Sequence, residues 1–133
     1  MYRIAPQLIN QLAENEILVF DCDIGGVHIY DQAKEALKFG AQNGKYNGHC
    51  GQTYAIPVRQ KNQHYNFTLT EIEKYVNEFF KFAKRKKELV FYVMPIACGM
   101  KAYKNEEIAP IFKNFLELEN VYLPLQWKKY LNA

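Results

Sequence analysis

EILVFDCDIGG, residues 16–26, decides the fold. Four apolar side chains run without a break from Ile17 to Phe20, then the chain turns acidic at Asp21 and Asp23 and reaches Gly25-Gly26. A short apolar run closed by glycines reads as a strand buried on both faces. ELVFYVM at 88–94 has the same character, and TYAIPV at 53–58 reads as a further strand. Pro57 has no N–H to give a neighbour, so it predicts that this strand lies at an edge or reaches its terminus there.

Helical periodicity fills the gaps between these strands. Residues 30–39 place Ala33, Ala36 and Leu37 at helical spacing, and Gly40 is a stop signal. Residues 68–84 carry the stripe Ile72, Val76, Phe79, Phe80 and Ala83, with Thr68 or Thr70 as cap and Glu71 or Glu73 three residues on. Lys84, Arg85, Lys86 and Lys87 close that helix, where cations suit the negative end of its dipole. Residues 6–13 predict a short helix with Leu8, Ile9 and Leu12 on one face. Residues 105–114 predict another, with Asn105 as cap. Residues 120–123 predict a last strand, and Pro124 leads into a helix containing Trp127 and Leu131. Residues 40–52 hold four of the seven glycines and read as one long loop, and 59–67 as a polar loop.

Strands alternating with helices imply an α/β domain with a mostly parallel central sheet covered by helices. Such sheets bind ligands at the carboxyl ends of their strands. The loops 21–30, 57–66 and 95–104 are therefore expected to share one edge. At 133 residues, 49% of them hydrophobic, the chain suits one domain spanning 1–133.

The net charge of +3 is too mild to argue for nucleic acid, and Lys84 to Lys87 read as a solvated helix end. Three cysteines, none in CxxC spacing, together with a polar N-terminus and no apolar run of roughly 20 residues, lead to the expectation of a cytoplasmic chain without membrane contact. His28, His49, Cys22 and Cys50 fit no short zinc pattern, so no metal is expected, and no cofactor is.

Three segments carry a resemblance. FDCDIGGVHIYDQA at 20–33, NGKYNGHCGQTYAIPV at 43–58 and ACGMKAYKNEEIAPIF at 97–112 follow in order the motifs FGSN with GxHGxGAA, GQGxGxxGQSYAIPT, and GCGxxGYxxxEIAPLF. These belong to short bacterial and phage macrodomain-like proteins, and the match covers almost the whole chain. It is tightest at GQTYAIP (51–57) and EEIAPIF (106–112). The resemblance implies an α/β/α sandwich holding ADP-ribose or a related nucleotide, with glycine loops cradling the diphosphate through backbone N–H groups. It implies Asp23, Gly25, Gly26 and His28 on one side of the ligand, and Cys98, Gly99 and Tyr103 on the other.

The chain departs from the motifs where they meet the diphosphate. Asp23 stands for the asparagine of FGSN, and Asp21 and Cys22 replace its glycine and serine. Ile29, Tyr30, Asp31 and Gln32 occupy small-residue positions, and the 97–103 segment keeps one of its glycines, Gly99. Binding is therefore expected to be altered or lost. Two further readings follow. One is a catalytically inactive protein-interaction module, self-associating or binding another protein, which the aromatic load of ten tyrosines and nine phenylalanines could serve. The other is an ADP-ribosyl hydrolase using Asp21 or Asp23 as an acid or base.

Overall fold

The computed structural model describes residues 2–25, 31–60, 66–98 and 102–131. Five strands form one sheet: β1 (Glu16–Asp23), β2 (Gly48–Cys50), β3 (Thr53–Arg59), β4 (Val90–Val93) and β5 (Val121–Tyr122), in spatial order β2-β3-β1-β4-β5. β1 pairs in parallel with β3 and β4, and β4 with β5; only β2, at the edge, is antiparallel. The helices are α1 (Asp31–Ala36), α2 (Leu69–Arg85) and α3 (Asn105–Ile108).

β1 is central because its alternate side chains serve two separate cores. Ile17 and Val19 join a large cluster with Ile72, Val76 and Phe79 of α2 and with Ile108, Phe112 and Trp127. Leu18, Phe20 and Cys22 face the other way, onto Ala33 and Ala36 of α1 and onto Met94. A strand covered on both faces has no polar side to show, which is why its sequence is nearly all apolar.

α2 follows its sequence closely. The Thr68 side chain accepts from the Glu71 N–H at 3.2 Å, and the Glu71 carboxylate accepts from the Thr68 N–H at 2.9 Å. Its far end is tied to β5 by Asn120, whose amide donates to the carbonyls of Ala83, Lys86 and Leu89. α1 ends in a 3-10 turn, Leu37–Phe39, and Gly40 terminates it at φ 107°.

Five expectations need correction. Residues 6–13 form no helix. Ala5 N–H bonds the Leu123 carbonyl, and the Ala13 carbonyl is taken by Glu16 N–H and by the Gln52 side chain. Leu8 is 77% exposed, so the apolar spacing there does not report one buried face. The 40–52 segment is not one loop: Gly48–Cys50 pairs with Thr53–Ala55 as the edge strand. β3 is also an interior strand. Leu18 N–H bonds the Gln52 carbonyl, so up to the register shift Tyr54 and Ile56 of β3 point their backbone groups at β1, and Pro57 points away. β2 stops opposite Ala55, so nothing needs the N–H that Pro57 lacks. The stretches predicted as the last two helices are largely 3-10 helix, Ala109–Glu117 after α3 and Leu125–Leu131. Pro110 lies at the start of the first and supplies no N–H for a continued α ladder. Asn105 is the first residue of α3 rather than its cap, and its side-chain oxygen accepts from the Trp127 indole at 2.9 Å.

The turn from β2 into β3 depends on two glycines back to back. Gly51 has φ 58°, and a Cβ there would lie 2.9 Å from the Gly40 Cα. Gly51→Ala is expected to cost about 2 kcal/mol or more, from the left-handed backbone and the backbone clash together. Urea denaturation checks it; a cost within about 0.5 kcal/mol, as for an ordinary surface change, would contradict the geometry. Among the described residues no helix is long and apolar enough to cross a membrane.

Candidate functional site

The expected convergence of strand ends is present. The chain leaves β1 through α1 toward β3, and leaves β4 through α3 toward β5. The chain therefore leaves these two strands in opposite directions, the topology that in open α/β sheets places a ligand crevice between the carboxyl ends of β1 and β4.

Asp21 stands at that crevice. Its Oδ2 accepts from the Ala97 N–H at 2.7 Å, a buried bond joining β1 to the turn after β4. Ala97 has φ 58°, a left-handed conformation unusual for a residue with a side chain. The same Oδ2 lies 3.7 Å from Nη1 of Arg59, the last residue of β3. Arg59 Nε is buried and has no hydrogen-bond partner among the described residues. Gln32 of α1 spans the crevice, its oxygen accepting from the Asp21 N–H at 3.2 Å and its amide donating to the Pro95 carbonyl at 3.1 Å.

Asp23 is 2% exposed and lies opposite Arg59 in the β1–β3 register, just past a register shift. Ile24 N–H continues the pairing to the Arg59 carbonyl, and Gly25 follows in a half-buried turn. Cys22, between the two acids, donates to the Tyr46 carbonyl at 3.2 Å. The glycine-rich segment ahead of β2 thus folds back to the carboxyl end of β1.

On the far side, Cys98 packs half-buried on the main core. Burial pushes its thiol up to about 12, against the opposing influence of the Trp127 indole. Burial, reinforced by Asp21 and Asp23, pushes the Cys22 thiol up as well. Neither cysteine is a thiolate near neutral pH, and nucleophilic attack needs the thiolate. The Tyr103 N–H donates to the Ala97 carbonyl at 2.9 Å and its hydroxyl to the Phe67 carbonyl at 2.5 Å, which ties Ala97 to the segment just ahead of α2.

Of the residues named from sequence, Asp21 and Asp23 lie together at the strand ends, Gly25 just beyond them, and Cys98 and Tyr103 across the crevice on the turn that Asp21 anchors. Gly26, His28 and Gly99 lie outside the described residues. Sequence reasoning missed Arg59, which it assigned to a polar loop, and the bridging role of Gln32. The signal for Arg59 was available: TYAIPVR laid parallel to EILVFDCD in its observed register brings the only cation of either strand to the acidic end. Among the described residues no three His, Cys, Asp or Glu side chains gather as a metal site would require.

Beside the crevice, on the α1 face, a slot of about 180 Å³ is lined by Gln7, Leu8, Leu18, Gln32, Glu35 and Met94. A second hollow of about 150 Å³ adjoins it through Gln7 and Met94 and extends to Pro124 and Leu125. No protein-family model, no curated protein and no solved structure matches the chain.

Proposed function

We propose that this chain is a macrodomain-like, three-layer α/β/α nucleotide-binding protein whose ligand is ADP-ribose or a related nucleoside diphosphate derivative. One observation carries the reading. The Arg59 guanidinium, Asp21 and the left-handed Ala97 turn meet at the carboxyl ends of three parallel strands, beside the crevice where loops leave in opposite directions. That is the position at which open α/β sheets take nucleotides. Arg59 answers the charge difficulty that the sequence raises. A diphosphate near Asp21 and Asp23 alone would be repelled, whereas the Arg59 guanidinium beside Asp21 offsets part of that negative charge. The ordered macrodomain-like motifs in the sequence give the nucleotide its identity.

Asp21 as a hydrolytic base is less well supported, because its carboxylate is engaged by the Ala97 N–H and faces Arg59. The interaction-module reading has an observation of its own. Leu8 and Leu125, both substantially exposed, border the two adjoining hollows on the α1 face.

Calorimetry with ADP-ribose tests the proposal. Saturable heat with a rise in melting temperature is the expected result. No heat and no thermal shift at millimolar ligand would sink it and leave the interaction module, for which the oligomeric state and capture of a partner are the checks.

A further inference from the structure

The β1–β4 crevice contains a small oxyanion position, and the chain fills it itself. A backbone N–H held by a left-handed residue, next to a guanidinium, is what an anion needs: a fixed donor and a compensating charge. Ala97 supplies the N–H and Arg59 the guanidinium. The oxygen that occupies the place is Asp21 Oδ2, 2.7 Å from the first and 3.7 Å from the second. Both protein groups thus meet at one carboxylate oxygen, as they would at an oxygen of phosphate. Gln32 adds a second closure by spanning from the Asp21 backbone to the Pro95 carbonyl. Arg59 retains donor capacity that Asp21 does not use, since its buried Nε has no partner among the described residues.

We propose that Asp21 is a resident anion, occupying the oxyanion position built by the Ala97 N–H and the Arg59 guanidinium and barring a ligand's phosphate from the β1–β4 crevice. The crevice then accepts the uncharged sugar of a nucleotide, and the phosphates lie outside it. Two anions cannot share one guanidinium and one N–H without repulsion in a low-dielectric site, so the resident carboxylate excludes the incoming group. The sugar-versus-phosphate consequence rests on the nucleotide reading above; the oxyanion position does not, because inorganic phosphate alone probes it.

The test is a phosphate titration of the full chain, followed through the Ala97 amide and the Arg59 Nε–H signals by nitrogen–proton NMR. In the wild type neither signal is expected to move at millimolar phosphate. Asp21→Ser removes the carboxylate, and its Ala97 amide is expected to shift saturably, with phosphate affinity raised roughly tenfold or more, as for one charge-assisted hydrogen bond. Adding Arg59→Gln to that variant is expected to abolish the gain. Asp21→Asn keeps an acceptor for Ala97 and so preserves the turn. It is expected to show the response at Arg59 alone, and it decides the matter if Asp21→Ser does not fold.

A wild-type Ala97 amide that titrates like the variant's would overturn the proposal. So would folded Asp21 variants that do not respond. Calorimetry of ADP-ribose on the same proteins separates the two ideas. Phosphate gain without ADP-ribose heat removes the nucleotide reading only, and ADP-ribose heat without phosphate gain removes the resident anion only.

Discussion

Phe79→Ala is expected to destabilise the chain by about 3–5 kcal/mol, the usual cost of deleting a fully buried phenylalanine. Phe79 has no exposed surface and lies where α2 meets the sheet and the 3-10 helix after α3. Its ring packs 4.8 Å from Tyr54 of β3, edge-on at 5.3 Å to Phe91 of β4, and stacked at 5.3 Å on Phe115. One side chain therefore joins three elements that are distant in sequence, and a neighbour moving to fill the cavity would have to leave a second aromatic contact. Whole domains are stable by about 5–15 kcal/mol, so a loss of this size removes a large part of the total. A fall in melting temperature of roughly 10–20 °C is the calorimetric expectation. Phe79→Leu, which leaves a smaller cavity, is expected to lose clearly less. A Phe79→Ala loss below about 1 kcal/mol would mean that this cluster is not the centre of the core.

The parts of the fold that were legible in the sequence are those where local pattern and tertiary burial agree. β1 and β4 read directly because a strand covered on both faces must be apolar throughout. α2 read directly because its stripe, its Thr68–Glu71 box and its basic end all point to one answer. Residues 6–13 show the converse. Leu8, Ile9 and Leu12 have helical spacing, yet Leu8 faces solvent while Ile9 and Leu12 pack beside the α1 core. The segment is held by bonds to Leu123, Glu16 and Gln52, which no local pattern records. β2 was illegible for another reason. Its three residues, Gly48 to Cys50, have neither alternation nor β propensity, and only the register with β3 makes them a strand.

The candidate site divides along the same line. Two carboxylates ending a buried strand stand out in any sequence, and Asp21 and Asp23 are where that reading put them. The partners that give Asp21 its role stand 38 and 76 residues further along the chain, at Arg59 and Ala97. A left-handed Ala97 carries no sequence mark, since glycine is the residue that advertises that conformation. Arg59 was hidden by being the last residue of a strand taken to end one residue earlier. The same difficulty applies to Gln32. Read along the chain it crowds a small-residue position, and read across the crevice it is a two-ended hydrogen-bonding bridge.

Loss of stability at alkaline pH is the second large effect expected. Burial raises the Tyr2 and Tyr54 hydroxyls to about 12, and the hydrogen bond to Glu16, with burial, does the same for Tyr92; the usual value is 10.0. A raised value in the folded chain means that the folded state keeps its protons while the unfolded state sheds them. Between pH 10 and 12 the unfolded state therefore binds fewer protons, and stability falls as pH rises. The contribution is fully present below the unfolded value and lost as pH climbs through the folded one. The Cys98 thiol, also raised to about 12 from a usual 9.0, starts the decline about one unit earlier. Tyr54, only 5% exposed, carries the largest tyrosine share, about 2–3 kcal/mol across the window. Tyr2 and Tyr92 are wetter and contribute less. Urea midpoints measured with reductant are expected to hold up to about pH 9 and then fall steeply, while absorbance at the phenolate band shows tyrosines ionising together with unfolding. Tyr54→Phe cannot ionise, so its midpoint is expected to fall less over the same interval. Midpoints that stay level to pH 11, or an unchanged slope in Tyr54→Phe, would show that these hydroxyls are not withheld from solvent as their burial requires.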